Sequence, residues 1–224
     1  MWHTAHIALV IAAHGSADPR FAVVVQALAT RVRGLRAGLD VRIGYLDHGP
    51  PHLAEVVAAG DGATPATVVP LLLSGGFHAR ADVPAQAPGA TITPPVGPDE
   101  RLAVALADRL LEAGYDGVGP VTLVAAGSAD EQALADVRST AGHLARRLRV
   151  PVEAAFVSAG RPRLSELEPS VVASYLLAPG SFHEAVRRCG APVVSEPLGD
   201  HPAVAEVILA RYDAGQVPGR TAPA

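Results

Sequence analysis

The chain has 224 residues and a formal net charge of −4, and 49% of its residues are apolar against 18% charged. This composition predicts a folded protein with a buried core and excludes an intrinsically disordered chain. All 18 basic residues are arginines, and the absence of lysine excludes a Schiff base to a carbonyl or pyridoxal cofactor and a P-loop lysine for a nucleotide phosphate.

Short apolar segments rich in valine, isoleucine and leucine alternate along the chain with longer segments of helical periodicity. This alternation predicts an α/β fold with parallel, doubly wound sheets that are flanked by helices on both faces. The predicted strands are 6–13, 41–46, 66–73, 91–93, 121–126, 152–157, 171–178 and 192–195. The predicted helices are 21–35, 53–59, 100–112, 131–148 and 203–212.

The order of these segments occurs twice. A Gly-Ser pair follows a strand at Gly15 and again at Gly127, and a Phe-His pair begins at Phe77 and at Phe182. A Pro-x-Gly element completes the repeat in each half. We therefore predict a duplication, with two similar lobes of ordinary domain size. The first lobe is 1–116 and carries the active site, the second is 121–212, and 213–224 forms a flexible tail.

The charge and the cysteine content restrict the partners. A mildly acidic chain without a basic run is not expected to bind nucleic acid or an anionic membrane surface. Cys189 is the single cysteine, which excludes a disulfide framework, a redox pair and a thiolate zinc cage. The apolar run at 7–13 is too short to span a bilayer and lacks the basic segment of a signal peptide. These features predict a cytoplasmic protein without a membrane anchor.

Polar side chains follow three strands of the first predicted sheet. His14 follows the first strand, Asp47 the second, and His78 lies just beyond the third, in a Ser-Gly-Gly-Phe-His segment. Ligands of open parallel sheets bind at the carboxyl ends of strands. Two imidazoles and a carboxylate form a partial coordination sphere suited to Fe²⁺, Co²⁺ or Ni²⁺, and the same groups can accept protons. The alternatives are hydrogen-bonded loop histidines, a tight glycine turn and a helix cap at Asp47.

The second lobe lacks two of these three groups. Ala126 stands at the position of His14, and Ser158 stands at the position of Asp47. His183 alone matches its counterpart, His78. The loss of two groups on a retained scaffold favours one active site in the first lobe and one relic in the second.

Three sequence blocks carry a resemblance to a known family. They are Ala-His-Gly-Ser at 13–16, Tyr-Leu-Asp at 45–47 followed by Pro51, and VPLLLSGGFHARADVP at 69–84. Together, at this spacing, they resemble the CbiX/SirB family of sirohydrochlorin chelatases, whose long members consist of two fused chelatase-like lobes. The resemblance implies ATP-independent insertion of Co²⁺ or Fe²⁺, or of Ni²⁺, into a tetrapyrrole of cobalamin or sirohaem biosynthesis, with no nucleotide and no pyridoxal phosphate.

The resemblance also implies roles for individual residues. His14 and His78 match the metal-binding histidines of the family and are expected to be catalytic. Asp47 stands where the family usually has glutamate, and its shorter carboxylate is the candidate auxiliary ligand or proton acceptor. The tetrapyrrole is a polycarboxylate, which arginines bind through guanidinium forks. The expected substrate-binding residues are Ser16, Arg20, Ser74, Gly75, Gly76, Phe77, Arg80, Arg161 and His183.

Two alternatives to a chelatase remain open: a non-catalytic carrier, and a family member recruited to another metal or ring system. The shorter carboxylate of Asp47 favours a non-catalytic carrier of metal or tetrapyrrole on the same fold. His48 and His52 are spaced like a helical pair, but the prolines between them exclude that helix, so we predict a surface role for both. We expect a monomer whose cleft lies between the two lobes.

Overall fold

The computed structural model describes residues 7–59 and 65–216. In its first lobe the four strands pair in parallel in the order β2-β1-β3-β4. The strands are β1 (Leu9–Ala13), β2 (Val41–Tyr45), β3 (Thr67–Pro70) and β4 (Thr91–Ile92). The helices are α1 (Pro19–Leu35), α2 (Leu53–Ala58), α3 (Val83–Gln86) and α4 (Leu102–Glu112), and a π-helical turn (His78–Asp82) precedes α3.

The second lobe repeats this arrangement with the strand order β6-β5-β7-β8. Its strands are β5 (Val121–Ala125), β6 (Val152–Phe156), β7 (Val171–Ser174) and β8 (Val193–Val194). Its helices are α5 (Glu131–Leu148), α6 (Ser181–Arg187) and α7 (Pro202–Gly215), with a short 3₁₀ turn (Leu164–Glu166). The predicted α/β class and the two similar lobes are confirmed. Within the described part of the chain, no helix has the length and apolarity needed to cross a membrane.

The long helix that follows the first strand of each lobe begins in the same way. Ser16 Oγ accepts the backbone N–H of Asp18, and Ser128 Oγ accepts that of Asp130, each at 3.0 Å. The two aspartates are the N-caps of α1 and α5, where they accept backbone N–H groups of the first turn. A Gly-Ser-x-Asp segment therefore ends the strand and caps the next helix, because it satisfies N–H groups that have no partner inside the helix.

The inner faces of the two sheets share one continuous apolar core. Alternate residues of β1, among them Leu9 and Ile11, point into it, as do Leu123 of β5 and residues of α4, α5 and α7. The two terminal helices are exchanged between the lobes. Helix α4 packs against β7 and α5, whereas α7 packs against β3 and α1. Each sheet therefore depends on a helix from the other half of the chain to cover its inner face.

The outer face of each sheet has a small core of its own. In the first lobe Val10 and Val68 pack with Leu53 of α2 and Val83 of α3. In the second lobe the corresponding cluster includes residues of β5, β6, β7 and α6. Because successive strand residues face opposite sides, apolar residues at every strand position produce a sheet that is buried on both faces.

Helix α7 continues past the predicted start of the tail at residue 213. The helix ends at Gly215. It extends this far because side chains of the first lobe hold its last turn. Asp213 forms a bidentate ion pair with Arg36, and Gln216 Nε2 donates to Thr67 Oγ1 at 2.8 Å. Residues 213–216 are thus part of the fold, and the rest of the predicted tail lies outside the described residues.

The exchanged helix gives a test of the shared core. Ile208 on α7 is fully buried, and Ile208→Ala is expected to lower the free energy of unfolding by about 2–5 kcal/mol. Glu206→Ala, at an exposed position of the same helix, should change it by no more than about 0.5 kcal/mol. Urea unfolding followed by circular dichroism measures both. A two-phase curve in which Ile208→Ala shifts only one phase would contradict a core shared by the lobes.

Candidate metal centre

Two predicted site histidines meet at the carboxyl edge of the first sheet. His14 follows β1, and His78 opens the π-helical turn beyond β3. Their ring centres lie 4.5 Å apart, and the ring planes are nearly perpendicular, at 82°. If a metal lies about 3.2 Å from the centre of each ring that binds it, this separation allows both imidazoles to share one ion. The structure thus brings together the pair that the strand ends predict.

Each of the two imidazoles has its Nδ1 atom next to a hydrogen-bond acceptor. His14 Nδ1 lies 3.2 Å from the carbonyl oxygen of Gly15. His78 Nδ1 lies within hydrogen-bond distance of Asp82 Oδ2, one helical turn along the chain. Each partner is an acceptor, so each pair favours the tautomer with its proton on Nδ1 and the lone pair on Nε2. This second hydrogen bond is typical of histidines that bind metals.

A close backbone approach holds the His14 loop against the next strand end. Gly15 has φ +94°, in the left-handed region, and a Cβ built there would lie 2.0 Å from the carbonyl oxygen of Asp47. The backbone N–H of Asp47 donates to the carbonyl oxygen of His14 at 2.9 Å. Only glycine fits at this position, because the two loops cross in van der Waals contact.

The carboxylate of Asp47 lies at the rim rather than between the histidines. Its side chain is 70% exposed, and Oδ1 accepts the backbone N–H of His48 at 2.8 Å. That hydrogen bond, together with the nearby imidazole of His48, lowers the pKa of the Asp47 carboxyl. Among the residues that the structure describes, no three histidine, cysteine or acidic side chains are arranged to hold one metal ion. A ligand role for Asp47 therefore stays a prediction.

Two residues near the pair, Asp82 and His48, were not assigned to the metal site from the sequence. Asp82 orients His78. The sequence feature that could have revealed this contact is the spacing of four residues between the histidine and the carboxylate. His48 was assigned to the surface, and its side chain is half exposed, but its ring centre lies 6.2 Å from that of His14. The backbone of His48 is left-handed, with φ 56°, a conformation that is uncommon outside glycine and clusters at functional sites.

The histidine pair forms part of the wall of a cavity of about 340 Å³ between the lobes. The wall is mostly apolar, which suits a flat organic ligand. From the first lobe it includes His14, Phe21, Ser74, Gly76, Phe77 and His78. From the second lobe it includes Gly127, Ser128, Leu134, Val137 and Tyr175.

Hydrogen bonds join the two lobes beside this cavity. The fully buried Tyr175 donates its hydroxyl proton to the carbonyl oxygen of Leu73 at 2.8 Å. The backbone N–H of Gly75 donates to Asp136 Oδ2 at 2.7 Å. The predicted substrate segment at 74–77 is thereby attached to the second lobe, and the position of its glycines depends on both halves of the chain.

Two arginines expected to bind substrate, Arg20 and Arg80, are each next in sequence to a residue of the cavity wall, Phe21 and Ala79, without being part of that wall, and both are paired in this structure. Arg20 pairs with Asp18 at 2.7 Å and with Glu184 at 3.4 Å. Arg80 pairs with Asp130 of the second lobe, and its Nη1 donates to the carbonyl oxygen of Gly75 at 2.9 Å. Both guanidinium groups thus lie where the lobes meet and already hold carboxylates.

Three predicted substrate residues occupy other surroundings. His183 is 2% exposed and is not part of the cavity wall, because the first turn of α6 points it toward Ser195, whose carbonyl oxygen lies 3.4 Å from its Nε2. Arg161 is an exposed side chain paired with Glu166 inside the second lobe. The Ser16 hydroxyl is used in the loop that caps α1. His183 is the clear correction, since a buried imidazole cannot reach a ligand in the cavity.

Comparison with known proteins agrees with this geometry. The family profile described as CbiX matches residues 8–113, the segment that contains both histidines. The solved structure of SirB from Bacillus subtilis with Fe³⁺ superposes with a TM-score of 0.78 and 26% identity, over 94% of this chain and 95% of that one. The first lobe thus matches the CbiX family, and the whole chain has the fold of the SirB structure.

Two further proteins are similar to this chain. A sirohydrochlorin cobaltochelatase of Methanosarcina acetivorans is 31% identical over 83 residues, which is 36% of this chain and 64% of that protein. The match thus spans less than two thirds of the curated relative. A SirB chelatase of Bacillus subtilis subspecies spizizenii, solved with cobalt, has a TM-score of 0.78 at 24% identity, over 94% and 95% of the two chains. This last match supports the fold.

The close approach at Gly15 makes a testable prediction. Gly15→Ala is expected to lower the free energy of unfolding by about 2–4 kcal/mol, because the new methyl group clashes with backbone and the left-handed conformation is strained. Gly38→Ala is the matched control, since Gly38 has φ +81° with open space at its Cβ. It should cost only about 1 kcal/mol. Equal losses, measured by thermal or urea unfolding, would show that the contact with Asp47 is unimportant.

Proposed function

We propose that this protein inserts a divalent metal ion, Co²⁺ or Fe²⁺, into sirohydrochlorin without ATP, in cobalamin or sirohaem biosynthesis. The observation that carries the proposal is the pair formed by His14 and His78, with each Nδ1 bonded to an acceptor, on the wall of a largely apolar cavity. The site belongs to the first lobe, and the second lobe supplies the opposite wall. A single chain provides both walls, so we propose that the monomer is the active form.

The chemistry of the reaction matches what these side chains can do. As the metal enters, the ring nitrogens of the tetrapyrrole lose two protons, the bonds from the metal to imidazole nitrogen break, and bonds to the ring nitrogens form. The metal must therefore be held weakly enough to be transferred. Neutral imidazoles bind first-row divalent metals without the permanence of a thiolate cage. Imidazole and carboxylate groups near the ring can also accept the released protons.

The site also contains side chains suited to bind the tetrapyrrole itself. A polycarboxylate ring needs cationic partners at the edge of the cavity and an apolar surface against its face. Arg20 and Arg80 pair with carboxylates of the second lobe and are next in sequence to the wall residues Phe21 and Ala79, and the exposed ring of Phe77 forms part of the wall. We assign the carboxylates of the substrate to the two guanidinium groups and the face of the ring to Phe77.

The same ligands serve either metal. Fe²⁺ and Co²⁺ both accept imidazole and carboxylate, and the affinity of a site does not by itself select between them. The curated relative is named for cobalt, and the two SirB structures contain iron and cobalt, respectively. We therefore propose metal insertion as the activity, with cobalt and iron as its two candidate ions.

Single substitutions at the pair test this proposal. His14→Ala and His78→Ala are each expected to lower the initial rate of metal insertion at least about 100-fold, because each removes one imidazole from the transferred ion. The rate is measured from the absorbance change of sirohydrochlorin with Co²⁺ or Fe²⁺ under anaerobic conditions. His143→Gln, on α5 and outside the cavity wall, is the matched control. Full activity in both alanine variants, with unchanged circular dichroism, would refute the assignment.

A second candidate function is a carrier of metal or tetrapyrrole. The exposure of Asp47 favours it, because no third described side chain is then arranged to bind the same ion as the two histidines. The number of turnovers separates the two functions. We expect the wild-type protein at about one hundredth of the sirohydrochlorin concentration to convert all of it, with a rate proportional to protein. Product that stops at one equivalent per protein chain would instead identify a carrier.

A further inference from the structure

Two arginines of the first lobe reach carboxylates of the second lobe beside the cavity. Arg80 pairs with Asp130, and Arg20 pairs with Glu184 through Nη1 at 3.4 Å. Both pairs join residues far apart in the sequence. They therefore exist only because the lobes are docked against each other.

The two carboxylate oxygens of Asp130 have different partners. Oδ1 accepts the backbone N–H of Gln132 at 2.9 Å and so caps α5. Oδ2 faces Arg80. One oxygen suffices for the cap, and asparagine can provide it as well as aspartate. The charge of Asp130 is therefore available for the guanidinium group rather than needed by the helix.

Both arginines have a second anchor on their own lobe. Arg80 Nη1 donates to the carbonyl oxygen of Gly75 at 2.9 Å, and Arg20 is also bonded to Asp18. Each guanidinium can therefore stay bound to its own lobe, next to the cavity-wall segment, when its partner in the second lobe leaves. The arginine side chains are about half exposed, at 52% for Arg20 and 55% for Arg80. The Glu184 side chain is also exposed, at 44%, whereas that of Asp130 is 18% exposed. An ion pair with an exposed partner contributes little net stability, so a ligand with several carboxylates can replace Glu184 and compete with Asp130 for Arg80.

We propose that Asp130 and Glu184 are specificity-determining residues that hold Arg80 and Arg20 in the free protein and release them only to a ligand with several carboxylates. This inference rests on the proposed tetrapyrrole substrate. A carboxylate on the same chain competes at a millimolar effective concentration, which a single free carboxylate group at ordinary concentration does not overcome. A rigid ring that presents several carboxylates together replaces both partners in one binding event.

The proposal predicts that removal of the competing charges strengthens binding. Asp130→Asn and Glu184→Gln are each expected to bind uroporphyrin, a metal-free polycarboxylate porphyrin, about 2–5-fold more tightly than the wild type. Binding is measured from the quenching of porphyrin fluorescence. Asp200→Asn is the matched control, because it breaks the pair of Arg31 and Asp200, which joins the two lobes outside the cavity wall. It should leave the affinity unchanged.

Two further measurements identify the cause. In an Arg80→Gln background the gain from Asp130→Asn should vanish, since the two changes act on one interaction. A cationic porphyrin without carboxylates should show no gain with either variant. An unchanged or weakened affinity for uroporphyrin in both single variants would overturn the proposal, as would the absence of binding in every form. Metal insertion into sirohydrochlorin by the wild type tests the proposed function separately, and it can persist while this inference fails.

Discussion

The docking of the two lobes depends on a single apolar core that neither lobe can complete alone. Helix α4, from the first half of the chain, packs against β7 of the second lobe, and α7, from the second half, packs against β3 of the first lobe. Each sheet would expose an apolar inner face if its partner moved away, and the cost of that exposure grows with the area. The relative position of the lobes, and with it the shape of the cavity, is therefore set by the hydrophobic effect.

The two lobes have similar folds but contribute different side chains to the cavity. The first lobe keeps an imidazole after β1 and another beyond β3, each oriented by a local acceptor. The second lobe has Ala126 after β5 and has buried His183. It contributes instead an apolar wall with Tyr175 and the carboxylates that meet two arginines. In the roles proposed here, metal binding and the contacts that select a ligand thus come from opposite sides of the cavity.

The sequence predicted most of the secondary structure, because buried strands and amphipathic helices have distinct apolar patterns. It also predicted that His14 and His78 lie near each other, since neighbouring parallel strands end at one edge. It failed at positions where side-chain direction matters. The match of His183 to His78 placed His183 among the expected substrate-binding residues, yet the short helix α6 turns it inward. The approach of His48 to His14 depends on a left-handed residue, which no periodicity reveals.

By itself the sequence determined the α/β class, the duplication and the histidine pair, because each of these follows from patterns within one segment or from the order of segments. Only the tertiary structure decided which lobe each terminal helix covers, that Asp47 faces solvent, and that Arg20 and Arg80 meet acidic residues of the other lobe. The physical reason is that these features arise from contacts between distant parts of the chain. Such contacts form only after both lobes have buried their common core.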